Sequence, residues 1–255
     1  MPLNISVLAD RPDLAELMWA MPTSWPELMR HDPIGGLFYG NVETRFAEFV
    51  LVAQDEADEV VACAYSIPFL LGDADLPDNG WDFVIRSGLL ANVREQEPDA
   101  ISAVEIAVRP DRQGQGISAL MLAAMRDNAG RHGFAELVAP VRPNGKADPH
   151  EPMTTYAARA REDGLPVDPW LRVHVRAGGR IVKVAPRSMV VPGTLEEWRA
   201  WTGLPFDASG PVVAPGALAP VHCDVEHGVA TYVEANVWVV HRTTAALPIV
   251  RMVGI

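Results

Sequence analysis

The sequence predicts an α/β fold, a mixed central β-sheet flanked by helices with a C-terminal elaboration. Three observations carry this. An apolar strand, an amphipathic helix and a second apolar strand follow one another between residues 101 and 141. That order is a βαβ unit, with parallel strands and a right-handed crossover. Two earlier apolar runs, 46–53 and 60–67, flank the acidic stretch 54–59 and read as a hairpin with a solvated tip. Hydrophobic residues make up 49% of the 255 and charged residues 21%, the balance of a folded chain rather than a disordered one.

Taken in order, residues 3–8 alternate as a short strand, and Pro12 opens a helix running to about Met21. A second helical piece, Trp25 to His31, is expected to close at Pro33 and Gly35-Gly36. After the hairpin, 80–95 has helical character, and the strand 101–108 ends at Pro110, which has no N–H for a ladder. Ile117, Leu120, Met121 and Ala124 form the apolar stripe of a helix reaching Arg131, with Gly133 as its C-terminal stop and a strand over 134–141. The polar stretch 142–167 holds one short helix near 154–161 and is expected to cover an acceptor site as a lid. A helix over 169–177 and a strand over 180–185 complete a main domain of residues 1–190. In the extension 191–255, Thr194 and Glu197 have capping-box spacing for a helix through Trp201, and 230–241 is a final strand.

The charge balance, 33 acidic against 21 basic side chains, argues against nucleic acid as a partner. Two cysteines, Cys63 and Cys223, are too few for a secreted disulfide framework. No apolar stretch reaches the roughly 18 residues of a membrane span, and the first turns carry charge. A cytoplasmic protein is expected, with no membrane partner. Only Lys146 and Lys183 are lysine, a bias typical of GC-rich bacterial genomes.

The informative segment is Ala103 to Leu122. A branched strand turns through Gln113-Gly114-Gln115-Gly116 straight into a helix. Two glycines allow close backbone approach, and the first free amides of the helix point the same way, so the loop can hold an anion such as phosphate. It lacks the Gly-Lys-Ser/Thr of a Walker loop and the third glycine of a dinucleotide fingerprint.

At these residues the chain resembles the GNAT superfamily of acyl-CoA-dependent N-acyltransferases. The family's pyrophosphate loop is Gln/Arg-x-x-Gly-x-Gly/Ala. Gln113, Gly116 and Ser118 stand at its three defined positions, the serine being a departure that stays small. The resemblance is clear over 100–141 and extends over 1–185. It implies acetyl-CoA, or another acyl-CoA, as co-substrate. The backbone of Ile106, Ala107 and Val108 would pair with the pantetheine arm as an added strand. The amides of Gly114, Gln115, Gly116, Ile117, Ser118 and Ala119 would surround the pyrophosphate. Many members carry a general-base glutamate on the strand before the loop. Here Glu105 sits between Ala103 and Ala107 on an alternating strand, where burial would raise its pKa as a base requires. The family's later Tyr-x-x-x-Gly motif is replaced by His174-Val-Arg-Ala-Gly178, which makes His174 the candidate acid toward the leaving thiolate, with Tyr156 a rival.

The function expected is transfer of an acetyl or other acyl group to an amine of a small molecule, with a cationic acceptor favoured by the acidic total. The missing tyrosine also motivates a different reading, an acyl-CoA-binding module without transfer, and other acyl-CoA chemistry on the same fold stays open. His222, Cys223, Asp224, Glu226 and His227 have ligand chemistry but not the paired spacing of a zinc site, so no metal is expected. Dimers are common in such enzymes, and 191–255 could mediate one.

Overall fold

The computed structural model describes residues 3–243. Its strands are β1 Asn4–Val7, β2 Val50–Gln54, β3 Val60–Phe69, β4 Ala100–Val108, β5 Glu136–Val141, β6 Arg180–Thr194, β7 Gly210–Val212, β8 Val221–Asp224 and β9 Val229–Arg242. The helices are α1 Ala15–Ala20, α2 Pro33–Tyr39, α3 Val42–Arg45, α4 Gly80–Val93, α5 Ile117–Arg131, α6 Met153–Ala157, α7 Pro169–Arg176 and α8 Leu195–Thr202. The strands form one mixed sheet in the order β1-β2-β3-β4-β5-β9-β8-β7, with β6 also paired to β9. The α/β expectation holds. β2 and β3 are antiparallel around the acidic turn, and β4 and β5 are parallel.

Several elements differ from the sequence reading for local reasons. Pro33 opens a helix instead of ending one. Asp32 caps α2 by accepting from Ile34 N at 2.8 Å, and proline fits the first turn because its missing N–H would have no partner there. The diglycine lies inside α2, where Gly35 packs against the Trp81 ring. β6 continues to Thr194, far past residue 185, because β9 pairs with it over almost its whole length. β7 and β8 were not foreseen; β8 pairs with β9, and β7 pairs with β8. The capping box at Thr194 and Glu197 forms as expected, and α8 ends at Gly203 with φ +72.

The two faces of the sheet carry two cores. One, under α2 and α4, contains Phe38, Tyr65, Trp81, Val104, Met189, Tyr232 and Trp238. The other, under α5 and α7, contains Ala103, Ile117, Met121, Leu171, Val237 and Val239. Residues of β9 alternate cleanly between them, as a strand buried on both faces must. β4 does not. Its partner register runs Tyr65↔Glu105 and then Ser66↔Ala103, so Val104 is an extra residue, a β-bulge.

Candidate active site

β4 and β5 share a single register pair, Ser102↔Val138. Beyond it the strands no longer pair, and a cavity of about 710 Å³ lies between residues 103–108 and 139–142. Its wall includes Ile117, Ser118 and Trp170 from the α5/α7 side, and Trp25, Trp81 and Met189 from the α2/α4 side. The cavity therefore passes through the sheet and joins its two faces. A substrate entering from one side can meet a group held on the other.

The glycine loop borders the first opening. Gly114 and Gly116 have φ of +76 and +80, and a Cβ on either would meet nothing within 4 Å. Glycine is there for the left-handed backbone and not for lack of space. Gly116 is the N-cap of α5 and supplies no side chain, so the first amides of the helix stay open. The backbone amides of Gly114, Gln115, Gly116, Ile117 and Ser118 have no partner among the described residues. That of Ala119 is taken by the Gly116 carbonyl at 3.1 Å. Gln113 fixes the loop by donating to the Val108 carbonyl at 3.3 Å. Ile106, Ala107 and Val108 line the cavity along the edge of β4 that faces away from β3 and has lost its strand neighbour.

Glu105 lies on the other face. Alternation alone would group it with Ala103 and Ala107. The bulge breaks that pattern: Ala103 joins the α5-side core with Ile106 and Val108, while Val104 and Ala107 belong to the α2-side core. Glu105 is half-buried in the cavity wall. The Tyr39 hydroxyl donates to its Oε2 at 2.5 Å, and the Trp25 indole N–H donates to its Oε1. Burial raises the carboxyl pKa, and the two hydrogen bonds restrain that rise by favouring the charged form. Tyr39 is itself shifted well upward by burial and by Glu105, so it remains a donor. Neither Tyr39 nor Trp25 was singled out from sequence. Tyr39 closes a helix that the Pro33 reading had cut short, and Trp25 sits in a loop before a short 3-10 turn.

His174 also lines the cavity, from α7. It is 2% exposed, its Nδ1 lies 2.8 Å from His241 Nε2, and its Nε2 has no partner among the described residues. Burial, with His241 beside it, pushes its pKa down to about 3, so the ring stands neutral near pH 7. Tyr156 is taken up structurally: its hydroxyl donates to Asp168 at 2.9 Å. The rest of the 142–167 segment is held by its own hydrogen bonds and ion pairs. Lys146 is buried and donates to the Leu218 carbonyl at 2.7 Å, Arg159 pairs with Glu151 at 2.8 Å, and from this segment only Arg142 and Asn144 reach the cavity wall. In the His222–His227 stretch, Asp224 is engaged by His227 at 2.8 Å and Cys223 is buried.

Comparison with known proteins agrees with this geometry. No family model matches the chain. An arginine N-acetyltransferase of Aspergillus versicolor, avaD, is 32% identical over a 271-residue alignment covering 93% of each chain. Among solved structures, the loading GNATL domain of CurA from Lyngbya majuscula superposes with a TM-score of 0.60 at 19% identity, over 95% of this chain and 98% of that one. No helix among the described residues is long and apolar enough to cross a membrane. With a relative of that identity over nearly its full length, and a glycine loop opening into a split β4/β5 pair, the chain belongs to the GNAT superfamily and is an N-acyltransferase that carries an acyl group from acyl-CoA to an amine.

Proposed function

We propose that the chain moves an acetyl group from acetyl-CoA to a small cationic amine of the arginine type, with Glu105 as general base. The observation that carries this is the position of Glu105: on the cavity wall, held by Tyr39 and Trp25, and reached through the split sheet from the glycine loop. The open amides of Gly114–Ser118 suit a pyrophosphate, and the unpaired backbone of Ile106–Val108 suits the pantetheine amides. The acceptor then enters from the α2/α4 side. Glu105 takes a proton from its ammonium, directly or through one water, and the freed lone pair attacks the thioester carbon. The adduct then breaks its C–S bond, and the CoA thiolate leaves with the proton that the new amide nitrogen sheds. The kinship with an arginine N-acetyltransferase supports the acceptor class, as does the chain's excess of acidic over basic residues.

His174 serves this reading as a neutral hydrogen-bonding wall of the cavity. A ring with a pKa near 3 holds almost no proton to give a thiolate at neutral pH. One assay tests the proposal: thiol release from acetyl-CoA with arginine, agmatine, lysine and an uncharged amine. Arginine-dependent release is expected. Binding of acetyl-CoA with no release for any cationic amine, or release with the uncharged amine alone, would overturn it.

A further inference from the structure

The acceptor end of the cavity holds a polar atom that acyl transfer, as derived above, leaves unused. Asn236, on β9, is fully buried and lines the cavity. Its Nδ2 donates to Glu234 Oε1 at 3.0 Å. Glu234 Oε2 in turn accepts from Arg142 Nε at 2.9 Å and from the Tyr232 hydroxyl at 2.7 Å. A carboxylate paired with arginine only accepts, so the amide must turn its N–H side toward Glu234. The hydrogen-bond chemistry thereby settles which amide atom is which. Oδ1 is left with no hydrogen-bond partner among the described residues. A buried carbonyl oxygen in that state is free to accept from a donor arriving in the cavity.

The surrounding charge says what kind of donor fits. Glu105, Glu234, Asp32 and Asp82 lie on this side of the sheet. Asp32 is close enough to feel the Glu234 charge, and Asp82 close enough to feel Asp32. Against them stand Arg142, paired with Glu234, and Arg86, which reaches Asp82 from outside at 4.0 Å. Asp32 Oδ2 and Asp82 Oδ1 are likewise buried without partners. A cation bearing several N–H groups suits such a site, donating to Oδ1 beside the Glu105 carboxyl of the cavity wall.

We propose that Asn236 is the residue that selects the acceptor, its side-chain carbonyl, left unpaired while its N–H side bonds Glu234, receiving an N–H of the guanidinium or ammonium group. This rests on the reading of the chain as an acetyltransferase for a cationic amine. Asn236 touches the acceptor, and Glu234 is a positioning residue acting through it.

The test is steady-state kinetics on the full chain with arginine and with citrulline, which carries a neutral ureido group in place of the guanidinium. In the wild type, arginine should be preferred in kcat/KM. Asn236→Ala should raise the KM for arginine roughly 10- to 100-fold, the usual consequence of losing a hydrogen bond to a charged group. The KM for acetyl-CoA should stay near its wild-type value. Asn236→Asp removes the N–H that Glu234 holds and sets two carboxylates together, so it should lose the arginine preference as N236A does. An N236A enzyme with unaltered arginine KM overturns the proposal. So does an equal rise in KM for arginine and for citrulline in N236A with acetyl-CoA binding intact, because that outcome marks a structural amide. If the variants do not fold, titration of the wild type with arginine and citrulline in the presence of free CoA decides, and equal affinities overturn it. Failure of the wild type to acetylate any cationic amine is a different result and removes the reading on which this one rests.

Discussion

The Trp81 indole donates to the Val104 carbonyl at 3.1 Å, and Val104 is the extra residue of the β4 bulge. The two facts belong together. A bulge leaves a backbone carbonyl out of the ladder, and a buried one needs a donor. Trp81, 3% exposed at the start of α4, provides it, while its own amide donates to Ser188 Oγ at 2.8 Å in the irregular part of β6. The carbonyl is thus secured from α4 and, behind it, from β6. Trp81→Phe keeps an aromatic ring, smaller than the indole, and removes the donor. It should cost about 1–3 kcal/mol of stability, the penalty for an unsatisfied buried acceptor. As the bulge relaxes, Glu105 shifts, and kcat should fall roughly 10- to 100-fold because small misplacements of a catalytic group are costly. Urea unfolding and thiol-release kinetics check this, and unchanged values in both would show that the bulge holds itself.

Glu105→Gln removes the base and keeps the shape. The expected fall in kcat is about 10²- to 10⁴-fold, the usual range for general-base catalysis, with the KM for acetyl-CoA little altered. The pH dependence follows from the direction of its shift. A base must be deprotonated, and burial raises this carboxyl above an ordinary glutamate, so activity should drop on acidification at a higher pH than an exposed glutamate would give. That acid limb should vanish from the residual activity of the variant. If it persists in E105Q, another group titrates there.

Gly116→Ala tests the loop. A methyl group meets nothing within 4 Å, but φ is +80, a conformation that costs an L-residue about 1–2 kcal/mol. The loop should therefore rearrange and withdraw its amides. In the wild type, acetyl-CoA at 100 times its Kd should add about 2.7 kcal/mol to stability. That gain should shrink in G116A and vanish in Gly116→Trp. An equal thermal shift in all three proteins would mean that the loop is only a turn.

The sequence displays what local patterns encode. Apolar runs mark the hairpin and the two parallel strands, and the glycines with Gln113 mark the anion loop, because these depend on neighbours in the chain. What it hides is set by distant pairing. The Val104 bulge follows from register with Tyr65 and Ser66, and only that register puts Glu105 beside Trp25 and Tyr39. The full length of β6 depends on β9, about 50 residues later in the chain, and the local pattern of 186–194 carries no sign of it. His174 was legible as a candidate by position, but its partner is His241, on a strand distant in sequence. Its protonation state is a property of the fold and not of the motif.

That pair gives the last prediction. Burial holds His174 down to about 3 and His241 to about 4, against an ordinary value near 6.5. Between those limits the unfolded chain binds more protons than the folded one, so stability rises with pH across that window. The contribution is present in full above pH 6.5 and is lost progressively as pH falls through 6.5 toward 3. Asp32 and Asp82 act in the opposite sense. Burial raises them to about 6 and 7, so their protonated forms favour the folded state, and that contribution fades as pH climbs from about 4 to 7. The histidine term must therefore be read as a difference. Unfolding free energies of the wild type and of His241→Gln, taken from pH 4 to 7.5, should converge as pH falls, because the variant has one fewer buried imidazole to be protonated on unfolding. A gap that stays constant across the range would mean that His241 contributes packing alone and does not titrate on unfolding.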